Sequence, residues 1–255
     1  MRINNNIAVI SGGASGMGAE TARHLRRLGA QVAILDNNPD NVERAGKELD
    51  VLAICCDVTK EEEVKQAITE IEKALGIPRI CVNCAGIAPA HLIVGKDRSA
   101  MPLQHFNQVI QVNLIGTFNV MSAMAARMST LEPEKNSKEN GVIINTASIA
   151  AFEGQIGQLA YSASKGGIVS MTLPAARELA RYGIRVMTIA PGLMDTPMLQ
   201  GLPDNVRESL ASTVTFPKRF GEPSEFASLV VHIIENAFLN GSVIRLDGAL
   251  RMAAR

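Results

Sequence analysis

Short runs of consecutive apolar residues recur along the chain, separated by longer stretches in which apolar residues return every three or four positions. The runs fall near 7–10, 31–35, 51–55, 79–83, 141–146, 184–189 and 242–246. A run such as Val142-Ile143-Ile144 lacks polar alternation, the pattern of a strand covered on both faces, as parallel strands are. Between the runs, stretches such as 61–75 place Val64, Ala67, Ile68, Ile71 and Leu75 at helical spacing. The alternation predicts right-handed βαβ units and an α/β fold built on a doubly wound parallel sheet. Residues 129–140 form a polar surface loop too short to link domains, and no repeat is evident. The chain 1–255 therefore reads as a single domain.

The first run is followed by Ser11-Gly12-Gly13-Ala14-Ser15-Gly16-Met17-Gly18 and then a helical pattern. The glycine spacing is GxxxGxG, which is neither GxGxxG nor a Walker loop. Glycine permits a sharp turn and close approach of a pyrophosphate, while Ser15, Gly16, Met17 and Gly18 lead into a helix whose N-terminus favours anions. A tight strand-to-helix turn would also select glycine. Asp36 ends the second run, where a carboxylate can accept both hydroxyls of an adenosine ribose and repel a 2′-phosphate. Asn37-Asn38-Pro39 follow, so a solvated turn is the alternative. Asp57 and Val58 are placed to hold an adenine edge and face. Asn83-Cys84-Ala85-Gly86 closes the fourth run with small residues where a cofactor would cross the sheet.

Composition narrows the partners. Lys plus Arg number 25 and Asp plus Glu number 25, so no basic field exists for nucleic acid or an anionic membrane. No stretch of about 18 apolar residues is apparent. The first apolar run begins too early for a targeting segment to precede it, and a cytoplasmic protein is the expectation. Among four cysteines, Cys81 and Cys84 have CxxC spacing, but Cys55 and Cys56 are adjacent and the histidines form no close pair. Free thiols and no metal are expected.

Tyr161 and Lys165, four residues apart, share one helix face. An ammonium beside a phenol favours phenolate, so Lys165 is expected to draw the Tyr161 pKa down. Ser148 follows the fifth strand, at the carboxyl edge where such sheets bind ligands. Asn113 lies within an apolar helical stretch, 109–121, where a polar side chain needs a buried partner or a role.

Gly12-x-x-x-Gly16-x-Gly18, Asn83-x-Ala85-Gly86, Asn113, Ser148, Tyr161-x-x-x-Lys165 and Pro191-Gly192 stand in the order and spacing of the short-chain dehydrogenase/reductase family. The resemblance covers essentially the whole chain, with Ser11 where that family usually has threonine. It implies a Rossmann-type fold, NAD as cofactor, and a homotetramer. Tyr161 would be the general acid or base, Lys165 would tune it and bond the nicotinamide ribose, Ser148 would polarise the carbonyl, and Asn113 would hold a relay water. Met194 and Thr196 join Pro191 and Gly192 as implied cofactor contacts.

The stretches 142–148, 151–155, 184–193, 238–241 and 243–248 are similar to the type 2 3-hydroxyacyl-CoA dehydrogenases within that family. This implies a small-molecule substrate, an acyl-CoA. A 3-oxoacyl-carrier-protein reductase, an alcohol or hydroxysteroid dehydrogenase, and a non-catalytic NAD-binding scaffold are the alternatives. Residues 193–220, with Leu199 and Leu202, read either as a core-facing helix or as a small helical lid over an acyl chain. Gln155 is a further candidate substrate contact. Lys96 and Arg98 suit a CoA phosphate or open solvent equally.

Overall fold

The computed structural model describes residues 1–133, 138–201 and 203–254, apart from the Met198 side chain. Seven strands form one sheet: β1 (Ile7–Ser11), β2 (Gln31–Asp36), β3 (Leu52–Cys55), β4 (Ile80–Asn83), β5 (Gly141–Thr146), β6 (Ile184–Pro191) and β7 (Val243–Leu246). Their order is β3-β2-β1-β4-β5-β6-β7. Every adjacent pair is parallel. All seven predicted runs are strands, and the chain reverses its direction of sheet growth between β1 and β4.

Helices α1 (Gly16–Arg27), α2 (Pro39–Leu49) and α3 (Glu61–Ala74) follow the first three strands. Local chemistry explains their bounds. At α2, the Asn38 side chain accepts from Asn41 N at 3.0 Å, Pro39 occupies the first turn, and Asp50 ends the helix in a left-handed conformation. The predicted 61–75 helix is α3, ending one residue earlier.

The uninterrupted apolar character of β5 has a simple cause. Val142 and Ile144 pack on one face with α1 and α9 (Pro223–Glu235), whereas Ile143 packs on the other with α3 and α5 (Gly116–Met128). The same alternation puts Cys81 and Cys84 on opposite sides of the sheet. CxxC spacing along a strand therefore separates the two thiols.

The segment 103–128 is one long helix made of α4 (Leu103–Ile110), a π-helical turn (Gln111–Ile115) and α5. It is apolar and long enough by length and composition to cross a bilayer, contrary to the reading of the sequence. Here its inner face, including Val120, Met124 and Met128, is buried in the core. Its outer face exposes Leu103, Ile115 and Phe118. The remaining helices are α6 (Leu159–Leu179), α7 (Pro197–Gln200) and α8 (Asp204–Ser212).

A polar row crosses the sheet near its carboxyl edge. Ser11, Asn83, Asn145 and Thr188 are in register on β1, β4, β5 and β6. Ser11 Oγ donates to Asn83 Oδ1 at 3.1 Å, and Asn83 Nδ2 donates to Asn145 Oδ1 at 2.9 Å. Thr188 shares a 2.6 Å hydroxyl contact with Thr172 of α6. Each buried polar atom in this row has a partner, which burial demands.

A second buried polar cluster fastens α9. The Arg185 guanidinium, on β6, pairs with Glu139. It also donates to Ile233 O, Ile234 O and Leu239 O at 2.9 Å each. These carbonyls belong to or follow the last turn of α9, where they lack intrahelical donors. Arg185→Ala is predicted to destabilise the fold by about 3–5 kcal/mol, because it strips a buried carboxylate of a partner and leaves carbonyls unsatisfied. Urea denaturation of the purified variant measures the loss.

Candidate active site

At the carboxyl edge of the sheet, where strand order reverses, lies a cavity of about 600 Å³. Ligands of open α/β sheets bind at such switch points. The glycine loop forms one wall. Gly12 has φ +66°, and a Cβ there would lie 2.6 Å from Ala85 N. A Cβ on Gly18 would collide with Gly12 O. The loop is thus pressed against β4 on one side and against the start of α1 on the other. Ser15 precedes α1 in an extended conformation, and no acidic residue lies in the helix's first turn. Gly12, Ser15, Gly16, Met17 and Gly18 all line the cavity. These residues fit a pyrophosphate: Gly12 and Gly18 permit a close-packed turn, and the start of α1, where N–H groups lack intrahelical acceptors, borders the cavity.

The expected acidic selector, Asp36, ends β2. Asp36 lines the cavity, with Oδ2 accepting from Ala14 N at 3.3 Å and Oδ1 from Asn38 N at 3.2 Å. The turn and ribose readings are therefore compatible, since the carboxylate shapes the loop and still faces the cavity. Asp57 and Val58 also line it. Asp57 Oδ1 caps Thr59 N and Oγ1 at 2.9 and 2.8 Å. Val58 O accepts from Asn119 Nδ2 of α5 at 2.9 Å, which ties this wall to the α3–α5 layer. Cys84, Ala85 and Gly86 form the floor beyond β4, and Pro191, Gly192, Met194 and Thr196 form the wall beyond β6.

Ser148, Tyr161 and Lys165 meet in the middle. Ser148 sits just past β5 and its Oγ accepts from Ala150 N at 3.1 Å, fixing a short 3₁₀ turn. Tyr161 lines the same cavity wall as Ser148, and the nearby hydroxyl favours the phenolate in part. One turn along α6, Lys165 Nζ donates to Thr146 O at 2.8 Å. Lys165 is 4% exposed.

The proton affinities depart from the sequence-based expectation. Burial raises the Tyr161 pKa above its usual 10, and the Ser148 hydroxyl opposes this only in part. Lys165 does not draw it down. Its ammonium is turned to the Thr146 carbonyl, 5.8 Å from the centre of the Tyr161 ring. Lys165 itself is lowered to about 8 by burial. The neighbouring Cys84 thiol is pushed up to about 11 by the same cause, so it stays a neutral lining group.

Asn113 lies behind this cluster in the π-helical turn, fully buried and outside the cavity lining. Its Oδ1 accepts from Ile87 N at 2.8 Å, and its Nδ2 donates to Ile87 O and Ser164 Oγ at 2.9 and 3.0 Å. Gly86 separates it from Lys165: a Cβ there would sit 3.2 Å from Asn113 Oδ1 and 3.5 Å from Lys165 Nζ. The side chain clamps the 86–87 backbone to α6.

Two candidates lie elsewhere. Asn83 is spent in the polar row beneath the site and does not line the cavity. Gln155 turns away, its Nε2 donating to Ala253 O at 3.3 Å. Leu199 lines the cavity, whereas Leu202 falls outside the described residues. Thr146, Gln158 and Met252 line it without having been singled out. Thr146 was discoverable as the end of β5, but it acts through its carbonyl, which no side-chain motif marks.

The geometry places a phenol and a buried ammonium beside a glycine cradle, an arrangement suited to moving a proton next to a bound ligand. The chain belongs to the short chain dehydrogenase family, whose sequence model matches residues 6–207, and it acts on CH–OH groups. It is 55% identical over 249 residues to the 3-hydroxyacyl-CoA dehydrogenase type-2 of Bos taurus, a match covering 96% of this chain and 95% of that one. The Homo sapiens protein of the same name is 53% identical over the same length and coverage. The crystal structure of 3-hydroxyacyl-CoA dehydrogenase type-2 from Mycobacterium avium matches with TM-score 0.94 and 39% identity over 98% of each chain.

The buried ammonium has a measurable cost. Between pH 8 and the unfolded lysine pKa of about 10.4, the unfolded state binds more protons, so stability from this group rises with pH there. Below pH 8 the full penalty applies. Lys165→Met is predicted to stabilise the protein at pH 7 by about 1–3 kcal/mol, the upper figure being the lowered pKa converted at about 1.4 kcal/mol per unit. Calorimetry at pH 7 and pH 10 checks it, with the gain shrinking at the higher pH.

Proposed function

We propose that the chain oxidises 3-hydroxyacyl-CoA to 3-oxoacyl-CoA with NAD⁺. The observation that carries this reading is the meeting of Ser148, Tyr161 and Lys165 on one cavity wall, in a chain 55% identical to a dehydrogenase so named. Ser148 orients the substrate oxygen. Tyr161 takes the hydroxyl proton in oxidation and returns it in reduction. Lys165 bonds the nicotinamide ribose, and Asn113 keeps Lys165 and the 86–87 backbone in register, at the start of a proton relay. When bound, the cofactor supplies the hydride acceptor. Turnover of 3-hydroxybutyryl-CoA followed by NADH absorbance tests the reading. Exclusive activity on carrier-protein thioesters with NADPH would replace it with the reductase alternative.

The raised Tyr161 pKa sets the pH dependence. Oxidation needs phenolate, the minor form at neutral pH, so kcat/KM for oxidation is predicted to rise about tenfold per pH unit from pH 6 upward until another step limits. Reduction needs the neutral phenol, so its profile stays flat over this range. Steady-state profiles in both directions decide the matter.

Cofactor choice rests on Asp36. The carboxylate accepts from the adenosine ribose, and losing such a bond costs about 1.5–3 kcal/mol. No Arg or Lys lies between Arg27 and Arg44 to neutralise a 2′-phosphate. Preference for NAD⁺ over NADP⁺ is predicted at about a hundredfold or more in kcat/KM, narrowed by Asp36→Ala.

Assembly as a homotetramer is part of the same reading. Leu103, Ile115 and Phe118 expose apolar surface along one long helix, and Leu173 does so on α6. Sedimentation velocity at micromolar concentration is predicted to show a tetramer, and a stable monomer would refute it.

A further inference from the structure

We infer that Met252 is a specificity-determining wall of the substrate end of the cavity and sets the acyl length that fits; this rests on the hydroxyacyl-CoA reading above. Met252 lines the same cavity as Ser148 and Tyr161. It packs in a small apolar cluster with Ile149, Leu193, Val214 and Leu250, which includes no residue of the glycine loop. Ile149 follows Ser148 and Glu153 just beyond it accepts from Met252 N, so the side chain packs against the turn that carries the substrate-orienting serine. A flexible thioether against branched aliphatic side chains suits hydrocarbon.

The segment carrying Met252 is fastened far beyond what a solvent-facing strand end requires. After β7, Gly248 and Ala249 take φ +56° and +60°, turning the chain back over the site. A Cβ on Gly248 would lie 2.6 Å from Val214 Cγ1, so only glycine lets the turn meet the end of the 193–220 segment. There Phe216 N donates to Gly248 O and Thr215 Oγ1 to Ala249 O, both at 3.1 Å.

On the other side, the Arg245 fork grips both oxygens of Glu153 at 2.9 and 3.1 Å, Asp247 Oδ2 at 2.7 Å and Leu250 O at 3.1 Å. Glu153 Oε2 in turn accepts from Met252 N at 3.4 Å, and Ile156 N donates to Ala254 O at 3.0 Å. The segment holds no proton-transfer group, yet a planar guanidinium fixes it between the lid and the turn after Ser148. Arg245 and Glu153 are positioning residues, and Met252 is what they position.

Substitutions of opposite size separate a wall from a mere packing residue. Full-length wild type, Met252→Ala, Met252→Trp and, as a volume control, Met252→Leu are assayed with NAD⁺ on 3-hydroxybutyryl-CoA and 3-hydroxydecanoyl-CoA. NADH affinity is measured separately by fluorescence. The ratio of kcat/KM for the long over the short thioester is expected to rise about tenfold in Met252→Ala and fall about tenfold in Met252→Trp, with Met252→Leu and NADH affinity near wild type. Equal ratios in all four proteins, or shifts of the same sign in Met252→Ala and Met252→Trp, overturn the inference alone. Turnover of neither thioester by the wild type overturns the underlying reading and the inference with it.

Discussion

The site depends on keeping a lysine ammonium where water cannot reach it. Among the described residues the hydrogen-bond acceptor for the Lys165 charge is the Thr146 carbonyl, which is available because β5 ends there. Everything nearby follows from holding this contact. Asn113 pins the 86–87 backbone to α6 at Ser164, one residue before the lysine. Gly86 is small so that the lysine and the asparagine can face each other across it. The penalty of burial appears as depressed basicity in Lys165 and as raised proton affinity in Tyr161. An enzyme that must give and take a proton at one oxygen retains such strain because it is part of the chemistry.

The rest of the fold divides structural from chemical work by level. Side chains at the last in-register position of β1, β4, β5 and β6 bond to one another or to α6 and stiffen the sheet. Residues one step further along the chain, such as Gly12, Cys84 and Thr146, face the cavity. Arg185 gathers the carbonyls at the end of α9, while Arg245 holds the segment after β7 through two carboxylates and the Leu250 carbonyl. These anchors are distant from the reacting groups, yet they fix the walls against which substrate and cofactor are set.

Legibility in the sequence followed the kind of interaction involved. Strands were readable because burial on both faces leaves unbroken apolar runs, as at Val142-Ile143-Ile144. The glycine loop was readable because its closest contacts, Gly12 with Ala85 and Gly18 with Gly12, tolerate no other residue. Ser148, Tyr161 and Lys165 were readable through helical spacing and a recognised family pattern. Asn83 was misplaced because strand parity decides whether a polar residue faces a cavity or its neighbours, and one step separates the two. Gln155 and Met252 exchanged roles for a related reason: a turn after β7, invisible to periodicity, brings the 252 side chain in and occupies the 155 amide from outside. The proton affinity of Tyr161 was misjudged because spacing along a helix shows that a lysine is close but not which acceptor its ammonium faces.

The central claim, that burial rather than the lysine governs the phenol, is open to direct observation. The chain has two tyrosines, Tyr161 and Tyr182, so Tyr182→Phe leaves a single reporter. A carbon-13 label at the ring carbon bearing the hydroxyl reports phenol and phenolate as distinct NMR shifts. In the cofactor-free protein the account predicts that Tyr161 remains phenol past the ordinary tyrosine pKa of about 10. A midpoint well below that value would show that the ammonium dominates and would contradict the account.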